Sequence, residues 1–456
     1  MNKVLKIANA QGFWGDRCGI AADLVNQQSD LDFLTMDYLA EVSMSILGWQ
    51  QAEDSSKGYA ADFIDELRAL LPFWAKGAKF KLIVNAGGLN PYGCAKAAFD
   101  LIAEQNLSEI LKIGVVSGDD VVSFLKAKGN YTNLDTGESI DLIRNSLVSA
   151  NAYLGAKPIV DVLEKGASIV ITGRVADPSL TVACAVYHYK WKWDAHDKLA
   201  GATIAGHLIE CGAQVTGGIS TNWLKIADPA NIGYPIVEMH EDASFVITKP
   251  TNTGGAVTEQ TVKEQLLYEI GDPGNYLSPD VTVSFLNLSL ENDGQDRILI
   301  KGATGQPPPP TYKVSATYRD GYRAEGMLTL FGAHLREKVA RLGDIVFQRV
   351  KSFGYELEDY QVECLGAGDV VLGVVQKPLN EVFKECVLRI CVADHRKEAV
   401  ECFSKELAPL ITNGPQGITG YALGRPKLKK VFGYWPCLID VNLLKLTSEI
   451  FQEKIQ

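Results

Sequence analysis

Three aspartates, Asp37, Asp119 and Asp177, stand within a few residues of the end of short β-branched runs. Crowded carboxylates raise one another's pKa, which suits them to general acid or base work, and the same crowding can chelate a divalent ion. Arg17 and Arg174 follow the same kind of run. A guanidinium there suits a carboxylate or phosphate, because its fork can bond two oxygens at once. Asp16, Asp120, Asn85 and Asn90 add polar groups to these loops as candidate substrate ligands. Each residue alone is also an ordinary turn former or helix cap. It is the set, repeated at five run ends, that favours a site.

Two glycine turns precede helical patterns. In Asn85-Ala86-Gly87-Gly88 the backbone amides can face an oxyanion or enolate, with the helix N-terminus adding to the field. Thr253-Gly254-Gly255 with Lys249 nearby allows the same for a phosphate, although a tight turn with a Thr cap uses the same letters. Neither turn fits G-x-G-x-x-G or the P-loop pattern, so no classical nucleotide site is expected. On a helix, His207, Glu210 and Cys211 share one face, which allows a thiolate–imidazole pair or half a metal site. A hydrogen-bonded structural histidine explains the same letters. The Gly217-Gly218-Ile219-Ser220-Thr221 run lacks the closing glycine of a hydrolase elbow.

The elements that must hold these residues alternate. Strand-like runs at 3–9, 31–36, 79–85, 112–117 and 167–172 are separated by helical patterns such as 62–71 and 96–102. That alternation predicts an α/β fold, with a mostly parallel, doubly wound, Rossmann-like sheet whose strand ends carry the polar loops on one rim. A hairpin is expected within 281–303 around Glu291-Asn292-Asp293-Gly294. Pro307 to Pro310 is a stiff polyproline connector and sets the expected boundary between a domain at 1–306 and one at 311–456. Beyond it, strand 312–319, helix 333–352, strands 359–364 and 386–392, helix 396–409 and strand 417–422 give a ferredoxin-like α+β order.

Composition narrows the function classes. The net charge of −11 disfavours a nucleic-acid partner. Nine cysteines without a C-x-x-C pair fit a reducing cytoplasm better than a disulfide scaffold or a zinc site. No apolar run reaches membrane-spanning length and no export signal is legible, so neither a membrane nor secretion is expected.

Several stretches together resemble the acyclic terpene utilisation protein AtuA family. These are Gly12-Phe13-Trp14-Gly15-Asp16-Arg17, Asp37-Tyr38-Leu39-Ala40-Glu41, Asn85-Ala86-Gly87-Gly88, Asn151-Ala152-Tyr153-Leu154-Gly155-Ala156, Thr172-Gly173-Arg174 and Gly206-His207-Leu208-Ile209-Glu210-Cys211-Gly212. Glu264-Gln265-Leu266-Leu267-Tyr268-Glu269-Ile270 extends the likeness, which runs from about residue 4 to about 330. The resemblance implies a place in degradation of acyclic terpenes through acyl-CoA intermediates, beside a CoA carboxylase. That pathway, taken with the polar rim and the glycine-rich turns, points to an enzyme of acyl or acyl-CoA metabolism, taking a lyase or hydrolase type step on a branched acid or its thioester. Asp37, Asp119, Asp177 and His207 are then the catalytic candidates. Asp16, Arg17, Asn85, Gly87, Gly88, Asn90, Asp120, Arg174, Glu210, Gly254 and Gly255 are the substrate-binding candidates. Two alternatives stay open, a non-catalytic accessory protein docked on the carboxylase and a metal enzyme built on Asp16, Asp37, Asp119 and Asp120, and the partner is left open between a second copy of the chain in a homo-oligomer and the carboxylase. No redox cofactor is indicated.

Overall fold

The protein is described by a computed structural model covering residues 4–127, 129–371, 384–420 and 424–452. Two compact units emerge, Met1–Thr317 with Tyr434–Gln456, and Tyr318–Gly433. The proline run taken as the connector therefore lies inside the first unit, and the chain returns to that unit after completing the second.

The first unit is organised by five parallel strands. They are β1 (Leu5–Asn9), β2 (Phe33–Met36), β3 (Lys81–Val84) and β4 (Ile113–Ser117), followed, after β5 (Leu147–Ala152), by β6 (Ile169–Thr172). Their order is β1-β2-β3-β6-β4, with parallel pairing throughout. β2 and β6 are buried at every residue, as expected for strands covered on both faces by helices. On one face, helices Ile20–Gln27, Asp62–Ala75 and Pro91–Glu104 supply Leu24, Phe63, Leu67, Trp74, Ala98 and Ile102 to a core that includes Leu34, Leu82 and Ile171.

The sheet is mixed, which corrects the doubly wound expectation. β7 (Ile236–Met239) lies antiparallel to β1, and β8 (Phe245–Thr248) antiparallel to β7. After the short β9 (Tyr276–Leu277) and β10 (Thr282–Ser284), the polar run Glu291–Gly294 falls in a hairpin of β11 (Ser289–Gly294) and β12 (Arg297–Lys301), which joins the sheet beside β8. β13 (Thr304–Gln306) pairs with β10 instead. The reason lies in chain connection. A parallel neighbour needs a long crossover, whereas β7 and β8 are joined by a few residues, which only an antiparallel turn can span.

The expected strand 312–319 is part of β14 (Thr311–Phe331), whose residues from Tyr318 onward belong to the second unit. There it is followed by helix Leu335–Ser352, β15 (Asp359–Leu365), β16 (Glu385–Asp394), helix Lys397–Glu406 and β17 (Ile418–Thr419). The strand order is β15-β16-β14-β17, antiparallel throughout. Leu328, Leu342, Val346, Ile390 and Phe403 form its separate core. The last of the expected strand at 417–422 lies outside the described residues. β18 (Lys429–Asp440) and β19 (Thr447–Ile450) complete the chain, the latter pairing antiparallel with β4 in the first unit. Among the described residues no helix is long and apolar enough to cross a membrane.

Asp280 shows how this framework is pinned. Its Oδ1 accepts from the Ala156 amide at 2.7 Å and its Oδ2 from Ser179 Oγ at 2.6 Å, so one carboxylate ties two helix starts together. Burial pushes it up to about 6 against those two bonds. A carboxyl with a raised native pKa binds its proton more readily in the folded chain, so it lowers stability as pH rises from about 4 to about 6. In Asp280→Asn the amide keeps one acceptor and donates to the serine. The variant should therefore lose less stability than the parent between pH 4.5 and 7, by roughly 2 kcal/mol. Paired urea titrations read this directly, because Asp119 and His207 titrate in both proteins.

Candidate functional site

Loops after β1, β2 and β6 meet the end of helix His196–Glu210 and the segment after helix Glu259–Leu267 around a cavity of about 830 Å³ in the first unit. Arg174 is its organising charge. The side chain is 2% exposed, its guanidinium donates to the Leu39 carbonyl and to Asp177 Oδ1 (2.8 Å), and it lies 4.1 Å from the centre of the Tyr153 ring. Burial opposes its charge, but Asp177, Tyr153, Asp37 and Glu41 outweigh that and keep the cation firmly protonated.

Carboxyls crowd around it. Asp37 is buried, accepts from Asn85 Nδ2 at 2.6 Å, and is pushed well above the usual carboxylate range by desolvation and by Asp177, against the pull of Arg174. Asp177 keeps a third of its side chain accessible to the cavity. Burial raises its pKa, Arg174 opposes this, and Glu41 and Glu269 add to the rise. Glu210, at 10% exposure, is raised by burial and then by Asp177 and Glu269. Crowding of this kind raises the affinity of the carboxyls for protons, which marks the cluster as a candidate for acid–base work.

His207 is buried at 1% exposure and is pushed down to about 4 by desolvation. Its ring nitrogens meet Glu210 Oε1 at 3.0 Å and the Gln265 carbonyl at 2.9 Å. Of the readings offered for this helix face, the hydrogen-bonded histidine holds and the thiolate–imidazole pair is not formed, since both ring nitrogens are taken and burial raises the Cys211 thiol. Phe13, Leu134, Ile219 and Leu277 also line the cavity, with about half or more of their surface still open.

A model of the acyclic terpene utilisation family protein AtuA matches residues 5–450. The chain belongs to the AtuA family. The match runs past residue 330, where the sequence likeness was expected to end, into the second unit. Comparison with curated proteins and with solved structures finds no match.

In this AtuA-family chain the structure divides the candidate residues. Asp16, Asp37, Arg174, Asp177, His207 and Glu210 line the cavity. Asn85 stands directly behind, bonding Asp37 and accepting from the Tyr38 amide at 2.7 Å. Asp119 also stands behind: it accepts from the Arg174 amide (2.9 Å) and Asn151 Nδ2 (2.7 Å), and burial raises it to about 6. It positions the arginine loop and does not line the cavity. Asp120 accepts from the Val122 amide, and Arg17 donates to the Ala230 carbonyl. Asp16, Asp37, Asp119 and Asp120 thus do not converge, and among the described residues no group of three His, Cys, Asp or Glu is placed to hold a metal.

The glycine turns are corrected too. Gly87 and Gly88 face packed chain and not the cavity. A Cβ on Gly87 would stand 2.5 Å from the Thr172 carbonyl and 2.8 Å from Pro91 Cα, and Gly88 has φ +51°. Gly254 packs against the Asp228 carbonyl, and Lys249 is committed to the Thr253 carbonyl (2.9 Å) and Asp296 (3.3 Å). Asn90 caps helix Pro91–Glu104 through the Gly93 amide. Gly87→Ala should therefore lower stability by about 1–3 kcal/mol, because both obstacles are backbone and cannot swing away. A shifted urea midpoint with unchanged ligand affinity would show this, whereas lost affinity at unchanged stability would return Gly87 to the site.

Glu41, Tyr153, Lys313, Glu269 and Tyr276 also line the cavity and were not among the candidates. Glu41 accepts from the Tyr153 hydroxyl and lies 3.7 Å from Lys313, whose ammonium is 5.0 Å from the same ring. The signal for Glu41 and Tyr153 was present, since both stand inside quoted loops.

Proposed function

We propose that this AtuA-family chain takes part in acyclic terpene utilisation as an enzyme of acyl-CoA metabolism. The acyl end of a branched thioester enters the cavity, and the wall around Arg174 moves a proton next to its carbonyl in a lyase or hydrolase type step. The observation that carries this reading is the placing of Asp177, Glu210 and Asp37 about one buried guanidinium, in a cavity that apolar side chains also line. A branched chain packs against Phe13, Leu134, Ile219 and Leu277 by burial of apolar surface. The acids then act on the polar end, with Arg174 stabilising negative charge that develops on the oxygen.

Charge favours the thioester over the free acid. Asp16, Asp37, Glu41, Asp177, Glu210 and Glu269 face the cavity with only Arg174 and Lys313 as cationic partners. Adding a carboxylate there meets repulsion, while a thioester carbonyl is neutral until the reaction polarises it. Branched acyl-CoAs should raise the melting temperature more than the matching free acids or CoA alone. Absence of any shift with acyl-CoAs, together with a strong shift from another metabolite class, sinks the substrate assignment. The element and strand order of the second unit supports reading it as ferredoxin-like.

A further inference from the structure

The proton between Glu210 and His207 can be located from their partners. The Gln265 carbonyl can only accept, so the His207 Nε2 at 2.9 Å from it carries a hydrogen. If the ring is neutral, Nδ1 is then a bare lone pair, and the proton of its 3.0 Å contact with Glu210 Oε1 belongs to the carboxyl. The other arrangement is an imidazolium facing a carboxylate with the same total number of protons. Surroundings decide between them. Tyr276 and Phe285 flank the imidazole, with ring centres 6.3 and 5.9 Å away, and the histidine is 1% exposed. Desolvation lowers His207 and outweighs the Gln265 carbonyl, Glu269 and Asp177, which pull it up, while Glu210 is raised by desolvation and by the facing carboxyls of Asp177 and Glu269, with Arg174 opposing. Asp37 and Cys211 are further acidic neighbours. Every neighbour but Arg174 disfavours a charge on Glu210.

Glu210 Oε2 is buried, has no hydrogen-bond partner, and belongs to a residue on the cavity wall. In the acid form this oxygen is a carbonyl-type acceptor with no open surface of its own, so it becomes the receiving atom once the Glu210 side chain turns toward a bound substrate, with the proton behind it. We propose that Glu210 and His207 form a neutral acid–imidazole pair in which Glu210 takes a substrate proton at Oε2 while passing its own proton from Oε1 to His207 Nδ1. The bookkeeping closes: one proton leaves the substrate, one crosses to the ring, and the pair ends as a neutral carboxyl beside an imidazolium. The electron pair of the broken bond stays on the substrate, as an enolate when the proton leaves carbon. Arg174 is the cation facing it. Glu210 is then a catalytic residue, and His207 a positioning residue that stores the proton. This use of Oε2 rests on the acyl reading above, whereas the resting state of the pair does not.

The resting state is tested without a ligand. With ¹⁵N-labelled histidine, the His207 ring should give a neutral, Nε2-protonated signature at pH 7. Glu210→Gln should keep that signature and the melting temperature, because a glutamine amide donates to Nδ1 as the acid does. An imidazolium signal in the parent, or loss of the tautomer in Glu210→Gln, overturns the pair. The relay is tested with isovaleryl-CoA in deuterated buffer. The parent should exchange its α-protons, and Glu210→Gln should lose at least a hundredfold of that rate, within the range of general base catalysis. Exchange that survives the substitution overturns the relay. No exchange in the parent, with a neutral pair seen by NMR, overturns the acyl role of Oε2 and leaves the pair standing.

Discussion

Arg174→Ala should unfold the first unit at markedly lower urea, with a loss of about 3–5 kcal/mol, the usual cost of removing one partner from a buried charged cluster. The arginine bonds the Leu39 carbonyl and Asp177, lies against Tyr153, and is the cation that lowers Asp37, Asp177 and Glu210. Removing it leaves carboxyls whose native pKa rises further above the unfolded value. Groups of that kind bind extra protons in the folded state, so they cost stability as pH increases through and above the normal carboxylate range. The deficit should accordingly be smaller at pH 5 than at pH 8, and unfolding curves at the two values check it. A deficit that grows toward acid would mean that Arg174 does not weaken the hold of these groups on their protons. Arg174→Lys should recover only part of the loss, since an ammonium keeps the charge but not the planar stack and paired bonds.

Asp177→Asn should have the largest effect on chemistry with little effect on folding. A third of the side chain is open, and it bonds Arg174 at 2.8 Å through one oxygen, which an amide oxygen can replace. Loss of its ionisable proton should lower kcat/KM by 10²–10⁴, the usual contribution of a positioned acid or base. Turnover of a branched acyl-CoA that binds to the parent is the measurement, with the urea midpoint as control. Equal turnover at equal stability would remove Asp177 from the chemistry.

The five run ends chosen from the sequence are the ends of β1, β2, β3, β4 and β6, which are the five parallel strands. They were legible because buried parallel strands are continuous apolar runs, and because polar letters cluster where such strands stop. Which of the five loops reach the cavity was not legible. The loop after β3 turns its glycines into helix packing, and the loop after β4 lends Asp119 to the Arg174 backbone. Both outcomes depend on approach distances between segments far apart in sequence. Lys313 illustrates the same limit. It comes from β14, a strand assigned to the other side of a supposed linker, and nothing local ties it to Glu41. The antiparallel strands β7 and β8 were missed as sheet members because short apolar pairs lack the helical spacer that marked the others.

The pairing of β19 with β4 has a consequence for synthesis. Thr447–Ile450 covers the free edge of Ile113–Ser117, with Phe451 tilted against Phe99 at 5.7 Å and Tyr92 donating to Glu449 at 2.6 Å. At about 5–20 residues per second on the ribosome, the polymerisation of everything between those strands takes roughly 15–70 s. For that interval the nascent sheet exposes a row of unpaired amides and carbonyls, the kind of edge on which chains aggregate. A chaperone that masks extended segments would be most useful to this protein in that window.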